Sequence, residues 1–386
     1  MAHKIKSLLV GSAAALAFAN PASAINIILH DMGGAATVKG TQAERGFQIA
    51  AKYWESVLVG NATIELKVGY GGLPANVLGS TGSNQVVYDI SSYYGALAAA
   101  SNSALDAKAV ATLQPLNISG GVTALVPAYI NAAAKTGIDV AGGTRVAPDG
   151  GINSAVVLNT AVAKALGETF AAGTIDGTIQ FSNQFAFDFN PTDGISAGTS
   201  DFIGVAVHEI GHALGFVSGV DDFDYFNGYT GTVDQYAWAY GLDMFRYTAP
   251  GELNWAPNQD AYFSIDGGQT ALWNGYFSTG AYTGDQNQAS HWKEPNQVTP
   301  CDNFLGVMNP YICGGKEDSV TALDLAAFDA IGWNLSLDVL ENARYEVLTS
   351  DIYNQFAIPE PATLSVAFLG LLAAGTATRR RKQQQG

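Results

Sequence analysis

One decapeptide constrains this chain more than any other stretch: His208-Glu209-Ile210-Gly211-His212-Ala213-Leu214-Gly215-Phe216-Val217. On an α-helix, residues four apart share a face. His208 and His212 can therefore present two imidazoles to one metal ion, with Glu209 one step round the helix. Zinc takes imidazole nitrogen readily, and a catalytic site keeps one coordination position open for water. Water held there has a pKa of roughly 7. A neighbouring carboxylate can take its proton and pass it to a leaving amine. The competing reading of the same pattern is an amphipathic core helix with two satisfied histidines.

A zinc site needs a third protein ligand, and the choice is narrow. The chain has five histidines, at 3, 30, 208, 212 and 291. His3 lies in a segment expected to be removed. Residues 1–24 read as a secretory signal: Lys4 and Lys6 start it, an apolar stretch follows over 8–19, and Ala22-Ser23-Ala24 is a small-residue cleavage site. Cys301 and Cys313 are the only cysteines. In an exported chain such a pair is expected to form a disulfide, with two zinc thiolates as the alternative.

At the other end, Ile358-Pro359-Glu360-Pro361 precedes an apolar run over 362–377 and then Arg379-Arg380-Arg381-Lys382. The run is at the lower limit for spanning a hydrocarbon core of about 30 Å, and the basic cluster would hold its end in the cytoplasm. In this order the parts resemble a PEP-CTERM sorting signal of Gram-negative bacteria. That resemblance implies recognition by an exosortase-type membrane enzyme, transient membrane association, and release to the cell surface or exterior. A retained single-span anchor is the alternative. Charged residues make up only 13%, and the formal net charge is -16. Without the two end segments, 12 basic and 33 acidic residues remain. A polyanion of that size argues against DNA or RNA as partner.

Between those ends, residues 25–30, 63–70, 86–90 and 155–158 carry strand patterns, and 42–58 repeats apolar residues at helical spacing. The Ala-rich stretches 93–113 and 122–134 read as helices. Residues 177–189 place Ile179, Phe181, Phe185, Phe187 and Phe189 on one face of a strand. Ser200 or Asp201 can cap the motif helix, and Gly215 can end it in a left-handed conformation. From there to about residue 315 loops are expected, followed by a helix over 321–331.

His-Glu-x-x-His-x-x-Gly resembles the metzincin clan of zinc endopeptidases, in which a third histidine lies three residues beyond the glycine. Here Ser218 stands at that position, and a neutral hydroxyl is a poor zinc ligand. Asp221 and Asp222 follow at unsupported spacing. His291, within Ala289-Ser290-His291-Trp292, is followed by Val307-Met308-Asn309-Pro310. This order resembles the leishmanolysin-like branch, where an insertion precedes the third ligand and a methionine turn follows it. Leu323-Asp324-Leu325-Ala326-Ala327-Phe328 resembles that group's closing helix. The resemblance covers residues 175–335. It implies zinc on His208, His212 and His291, Glu209 as general base, and Met308 beneath the ligands. A disulfide between Cys301 and Cys313 would bracket that turn. Glu252 or Glu294 would be the substitute third ligand if His291 is an ordinary loop residue.

These readings amount to an α+β zinc metalloprotease with a twisted mixed sheet. Its parts would be a catalytic subdomain at 25–217, an irregular subdomain at 218–337, a linker at 338–358 and the sorting segment at 359–386. Substrate would lie in a cleft between the subdomains. By family resemblance, 177–189 would be the sheet edge that pairs with an extended peptide. Asp221-Asp222-Phe223-Asp224 and 188–193 could bind calcium, but the favoured reading of both is solvated loop acids. The competing function is a surface or matrix protein that keeps a structural metal site without proteolysis. A metal-dependent hydrolase of non-peptide substrates is a second alternative.

Overall fold

The structure is a computed structural model that describes residues 23–293 and 304–357. The expected sorting segment, Cys301 and all but the last two residues of the expected signal lie outside them. No helix among the described residues is long and apolar enough to cross a membrane. The described chain is mixed α+β.

Strands β1 (Asn26–Asp31) and β2 (Thr63–Gly71) run parallel, joined through helix α1 (Gln42–Val57). Ile64, Leu66 and Val68 alternate with more exposed residues on β2 and are buried, as a period of two requires. On α1, Ala43, Phe47, Ala50, Trp54 and Val57 recur at three- and four-residue steps and face the core. Strand β3 (Gly79–Ser83) follows. The Ala-rich stretch after it is two helices, α2 (Ile90–Ala100) and α3 (Ala104–Ala111). The break falls at Ser103, whose hydroxyl accepts from Asp106 N–H while the Asp106 carboxylate accepts from Ser103 N–H, a reciprocal cap.

The expected helix over 122–134 is a strand instead, β4 (Ala124–Ala128), paired with β5 (Asp139–Val146). Leu125 and Val126 suit a pleated surface; of the alanines that suggested helix, Ala124 and Ala128 lie in the strand and Ala132, Ala133 and Ala134 in the turn beyond it. Strand β6 (Gly177–Ser182) completes a sheet ordered β1-β2-β6-β3, with β3 antiparallel to β6. This corrects two expectations. The strand begun at Gly177 stops at Ser182, because residues 183–186 turn. It is also internal, and the sheet edge is β3.

Helix α4 (Phe202–Ala213) carries the histidine motif and packs against α1; helix α5 (Val220–Tyr225) follows it. Strands β7 (Arg246–Ala249), β8 (Glu252–Asn254) and β9 (Tyr262–Phe263) join β4 and β5 in one five-stranded sheet ordered β9-β7-β8-β4-β5. Hydrogen-bonded strands therefore bridge the expected boundary at 217/218. Helix α6 (Ala322–Ala330) closes the site from below, and α7 (Thr349–Phe356) packs on α1. The expected linker is thus part of the fold, with Val339 and Ile352 in the common core.

On α6, Asp329 is almost fully buried beside Asp106, and its carboxylate accepts from Ser103 Oγ at 2.8 Å. Burial, reinforced by Asp106, pushes it up to about 8. An unfolded aspartate titrates near roughly 4, so between those values the folded chain holds a proton that the unfolded chain releases. Stability then falls as pH rises through that window. Asp329→Asn should remove this slope, so that the variant gains roughly 1–3 kcal/mol on wild type between pH 5.5 and 8.5. Urea denaturation at the two pH values measures it. An unchanged difference would show that Asp329 is ionised throughout.

Candidate metal centre

Asp201 starts α4, its Oδ1 accepting from Ile203 N–H at 2.9 Å and Gly204 N–H at 3.1 Å. Its other oxygen accepts from Thr349 Oγ1 and from Asp318 N–H, tying the cap to the closing segments. Midway along, Trp54 Nε1–H donates to the Val207 carbonyl at 3.0 Å. At the far end, Asn159 Nδ2 donates to the carbonyls of His212 and Ala213. The chain then turns at Gly215 with φ +116°, a conformation that side chains disfavour. That turn brings the Phe216 carbonyl back to His212 Nδ1 at 2.7 Å.

The structure brings His208, His212 and His291 together. His212 Nε2 lies 3.0 Å from His208 Nε2 and 3.2 Å from His291 Nε2. Each ring's other nitrogen faces a backbone carbonyl: His208 Nδ1 to Val307 at 2.7 Å, His212 Nδ1 to Phe216, and His291 Nδ1 to Gln288 at 3.1 Å. A carbonyl only accepts, so each Nδ1 carries the hydrogen and each Nε2 turns a lone pair towards the others. Burial lowers His208 to about 4 and His291 to about 3, and holds His212 well below the ordinary range. The three rings are therefore neutral, and three converging lone pairs repel unless a cation lies between them. Tetrahedral zinc with bonds of about 2.0–2.1 Å would separate ligand nitrogens by about 3.3 Å. The observed spacings fit a metal ion, and these histidines are the one metal-competent cluster among the described residues.

Met308 is fully buried under this cluster. A Cβ on Gly211 would stand 2.6 Å from its sulfur, so the glycine inside the motif makes room for the methionine. Val307, whose carbonyl orients His208, has its own N–H held by Asp324 Oδ2 at 3.0 Å. Asp324 Oδ1 accepts from Met308 N–H and from Trp292 Nε1–H, next to His291. One carboxylate on α6 thereby sets two of the three ligand segments.

The His291 loop has a second anchor. Asp221 accepts from Ala289 N–H at 2.6 Å, from Ser290 N–H at 3.1 Å and from the Ser290 hydroxyl. Ser218, at the usual third-ligand position, donates its hydroxyl to buried Asp243 at 2.5 Å and its N–H to Ser290 Oγ at 2.9 Å. It anchors the replacement loop and is not among the clustered ligands. Asp221→Ala should weaken metal binding by roughly 10- to 100-fold, the usual effect of freeing a ligand's support. Ser218→Ala should keep the metal. Competition titration with a zinc chelator measures both, and metal loss in Ser218→Ala alone would overturn the ligand assignment.

Glu209 is buried at the cleft floor. Thr81 Oγ1, on edge strand β3, lies 2.7 Å from Glu209 Oε2 and 2.9 Å from its carbonyl. Burial raises the Glu209 carboxyl to about 7. The cleft, of about 590 Å³, runs between residues 74–81 on one wall and 281–291 and 309–312 on the other. Among the described residues Glu209 is the only acid lining it, and no Lys or Arg joins the histidines. Thr81 escaped the sequence reading because Gly79-Ser80-Thr81-Gly82-Ser83 has no apolar alternation.

The acids considered as calcium ligands have other partners. Asp221 holds the His291 loop, Asp224 accepts from Tyr282 N–H, Thr283 N–H and the Thr283 hydroxyl, and Asp188 accepts from Asn190 N–H and Ser196. They organise loops through amide donors. Glu252 pairs with Thr248 on β8, away from the cluster, and Glu294 lies outside the described residues. Cys313 is not a free thiol, and its expected partner Cys301 lies outside the described residues. Comparison with family models, curated proteins and solved structures finds no match.

Proposed function

We propose that this chain is a zinc-dependent endopeptidase, in keeping with its resemblance to leishmanolysin-like metzincins. The observation that carries the reading is the set of three neutral imidazoles with inward lone pairs beside a buried carboxylate in an open cleft. A structural zinc site is closed by four protein ligands. Here three converge among the described residues, and the cleft opens over them. An all-imidazole donor set suits zinc, with copper, nickel and iron as competitors. Bound there, zinc would supply Lewis acidity to a scissile carbonyl and to an attacking water.

The chain's own residues supply the rest. Glu209, buried at the cleft floor next to His208, can take a proton from water and return it to the leaving amine. Thr81 hydrogen-bonds to that carboxylate and fixes its direction. The free edge of β3 offers unpaired backbone groups along the cleft, which suits an extended peptide better than a small substrate. Export and sorting through the two end segments belong to the same reading.

Removal and return of metal test it. Dialysis against a chelator should abolish cleavage of an unfolded polypeptide, and one equivalent of zinc should restore it. Metal analysis on the purified protein should find zinc. Cleavage that survives complete metal removal would refute the proposal.

A further inference from the structure

Beyond the cleft, aromatic rings stand in water where a soluble fold usually hides them. Tyr282 lines the cleft and is 69% exposed; Tyr225, at the end of α5, is 65% exposed, and Phe226 and Tyr229 are each 43% exposed. The rings form a continuous row. Centroids are 5.8 Å apart from Tyr282 to Tyr225, 5.1 Å from Tyr225 to Phe226, and 6.4 Å from Phe226 to Tyr229. Contiguous exposed apolar surface of this kind marks interaction sites.

The row is built rigidly. Asp224, buried next to Tyr225, accepts from Tyr282 N–H at 2.7 Å, from Thr283 N–H at 3.1 Å and from the Thr283 hydroxyl. It locks the Tyr282 loop to α5. Beneath, Phe223 stacks on Trp238 at 4.6 Å. The acids of α5 all face other partners: Asp221 takes Ser290, Asp222 takes Tyr240, and Asp224 takes Thr283. The ridge therefore presents rings and takes no free charge from α5.

We infer that this ridge is an exosite that docks the part of an extended, uncharged polypeptide running out of the cleft. The inference rests on the peptidase reading above and names its substrate class: long, unfolded chains rich in apolar side chains. Two features favour a polypeptide. Side chains on one face of an extended strand recur about every 6.6 Å, close to the ring spacing. The rings meet edge to face, at 62°, 85° and 68°, which leaves slots for side chains and no flat platform for stacking sugars. Through Tyr282 the row is continuous with the cleft, so one chain can occupy both.

The test compares an unfolded polypeptide of about thirty residues with its central segment of about eight, in wild type and in Tyr225→Ala/Tyr229→Ala. For the long substrate KM should rise about tenfold in the variant with kcat unchanged. For the short one neither should move. An equal change on both substrates, or none on either, overturns the exosite. In parallel, zinc-loaded Glu209→Ala protein should bind the labelled long chain about tenfold more weakly when both tyrosines are replaced. That readout needs no cleavage. If wild type cleaves nothing while ridge-dependent binding persists, the peptidase reading fails and the docking site stands. If cleavage is normal and the variant is indistinguishable, the docking site fails alone. A wild-type dimer that dissociates in the variant, or loss of neutral-polysaccharide binding with KM unmoved, would also overturn it.

Discussion

Glu209→Ala should lower kcat/KM for a cleavable polypeptide by roughly 10²- to 10⁴-fold, the range a positioned general base contributes. Metal content should not change, because Glu209 is not among the three clustered ligands. The loss should fall on kcat, since Glu209 lies at the cleft floor and the wall that would grip substrate is backbone and neutral side chains. Thr81 gives an internal comparison. Its hydroxyl bonds to Glu209, so Thr81→Val should lose part of the same kcat while Thr81→Ser restores it. Steady-state kinetics with metal analysis on each protein decides the matter. A Glu209→Ala protein that keeps both zinc and full activity would remove the carboxylate from the chemistry. A protein inert before and after the change, with its metal intact, would favour the structural-metal alternative.

What could be read from the residues followed the range of the interactions involved. The motif helix was legible because its signals are local: Asp201 before it, Gly215 after it, and two histidines one turn apart. Strand β2 was legible because Ile64, Leu66 and Val68 alternate. His291 was reached through resemblance, and no spacing rule could have found it, since 79 residues separate it from His212. Illegible were the buried acids that hold the site. Asp221 was legible only as a candidate metal or calcium ligand, and Asp243 and Asp324 only as polar loop and helix residues; their partners lie far along the chain: Asp221 to Ser290, Asp243 to Ser218, Asp324 to Trp292. Strand β3 was missed because backbone pairing with β6, without apolar side chains, makes it a strand. The error at 122–134 has the opposite cause. Alanine favours helix intrinsically, and pairing with β5 and β8 overrides that preference.

The same long-range logic makes Asp324→Ala the most damaging single change outside the ligands. The carboxylate accepts four bonds: from Trp292 Nε1 at 2.8 Å, Val307 N at 3.0 Å, Met308 N at 3.2 Å and Thr321 N at 2.8 Å, while the Thr321 hydroxyl gives its hydrogen to the Leu305 carbonyl at 2.7 Å. Alanine would strand four donors and undo the cap of α6, costing about 3–5 kcal/mol. For a chain of this size that corresponds to a fall in Tm of roughly 4–7 °C. The metal site should suffer beyond the loss of stability. Val307 supplies the carbonyl that orients His208, and Trp292 adjoins His291, so two ligand segments lose their common anchor. Zinc affinity measured on folded protein, well below the new Tm, should fall at least 100-fold, the upper end for loss of a single supporting contact. Asp329→Asn is the matched control, a buried acid on the same helix whose partners are Ser103 and Asp106. It should shift the pH dependence of stability and leave zinc affinity alone. If Asp324→Ala lowers Tm but binds zinc as tightly as wild type, Asp324 is a packing anchor only. The converging geometry of His208 and His291 would then be maintained by the Asp221 loop and the helix itself.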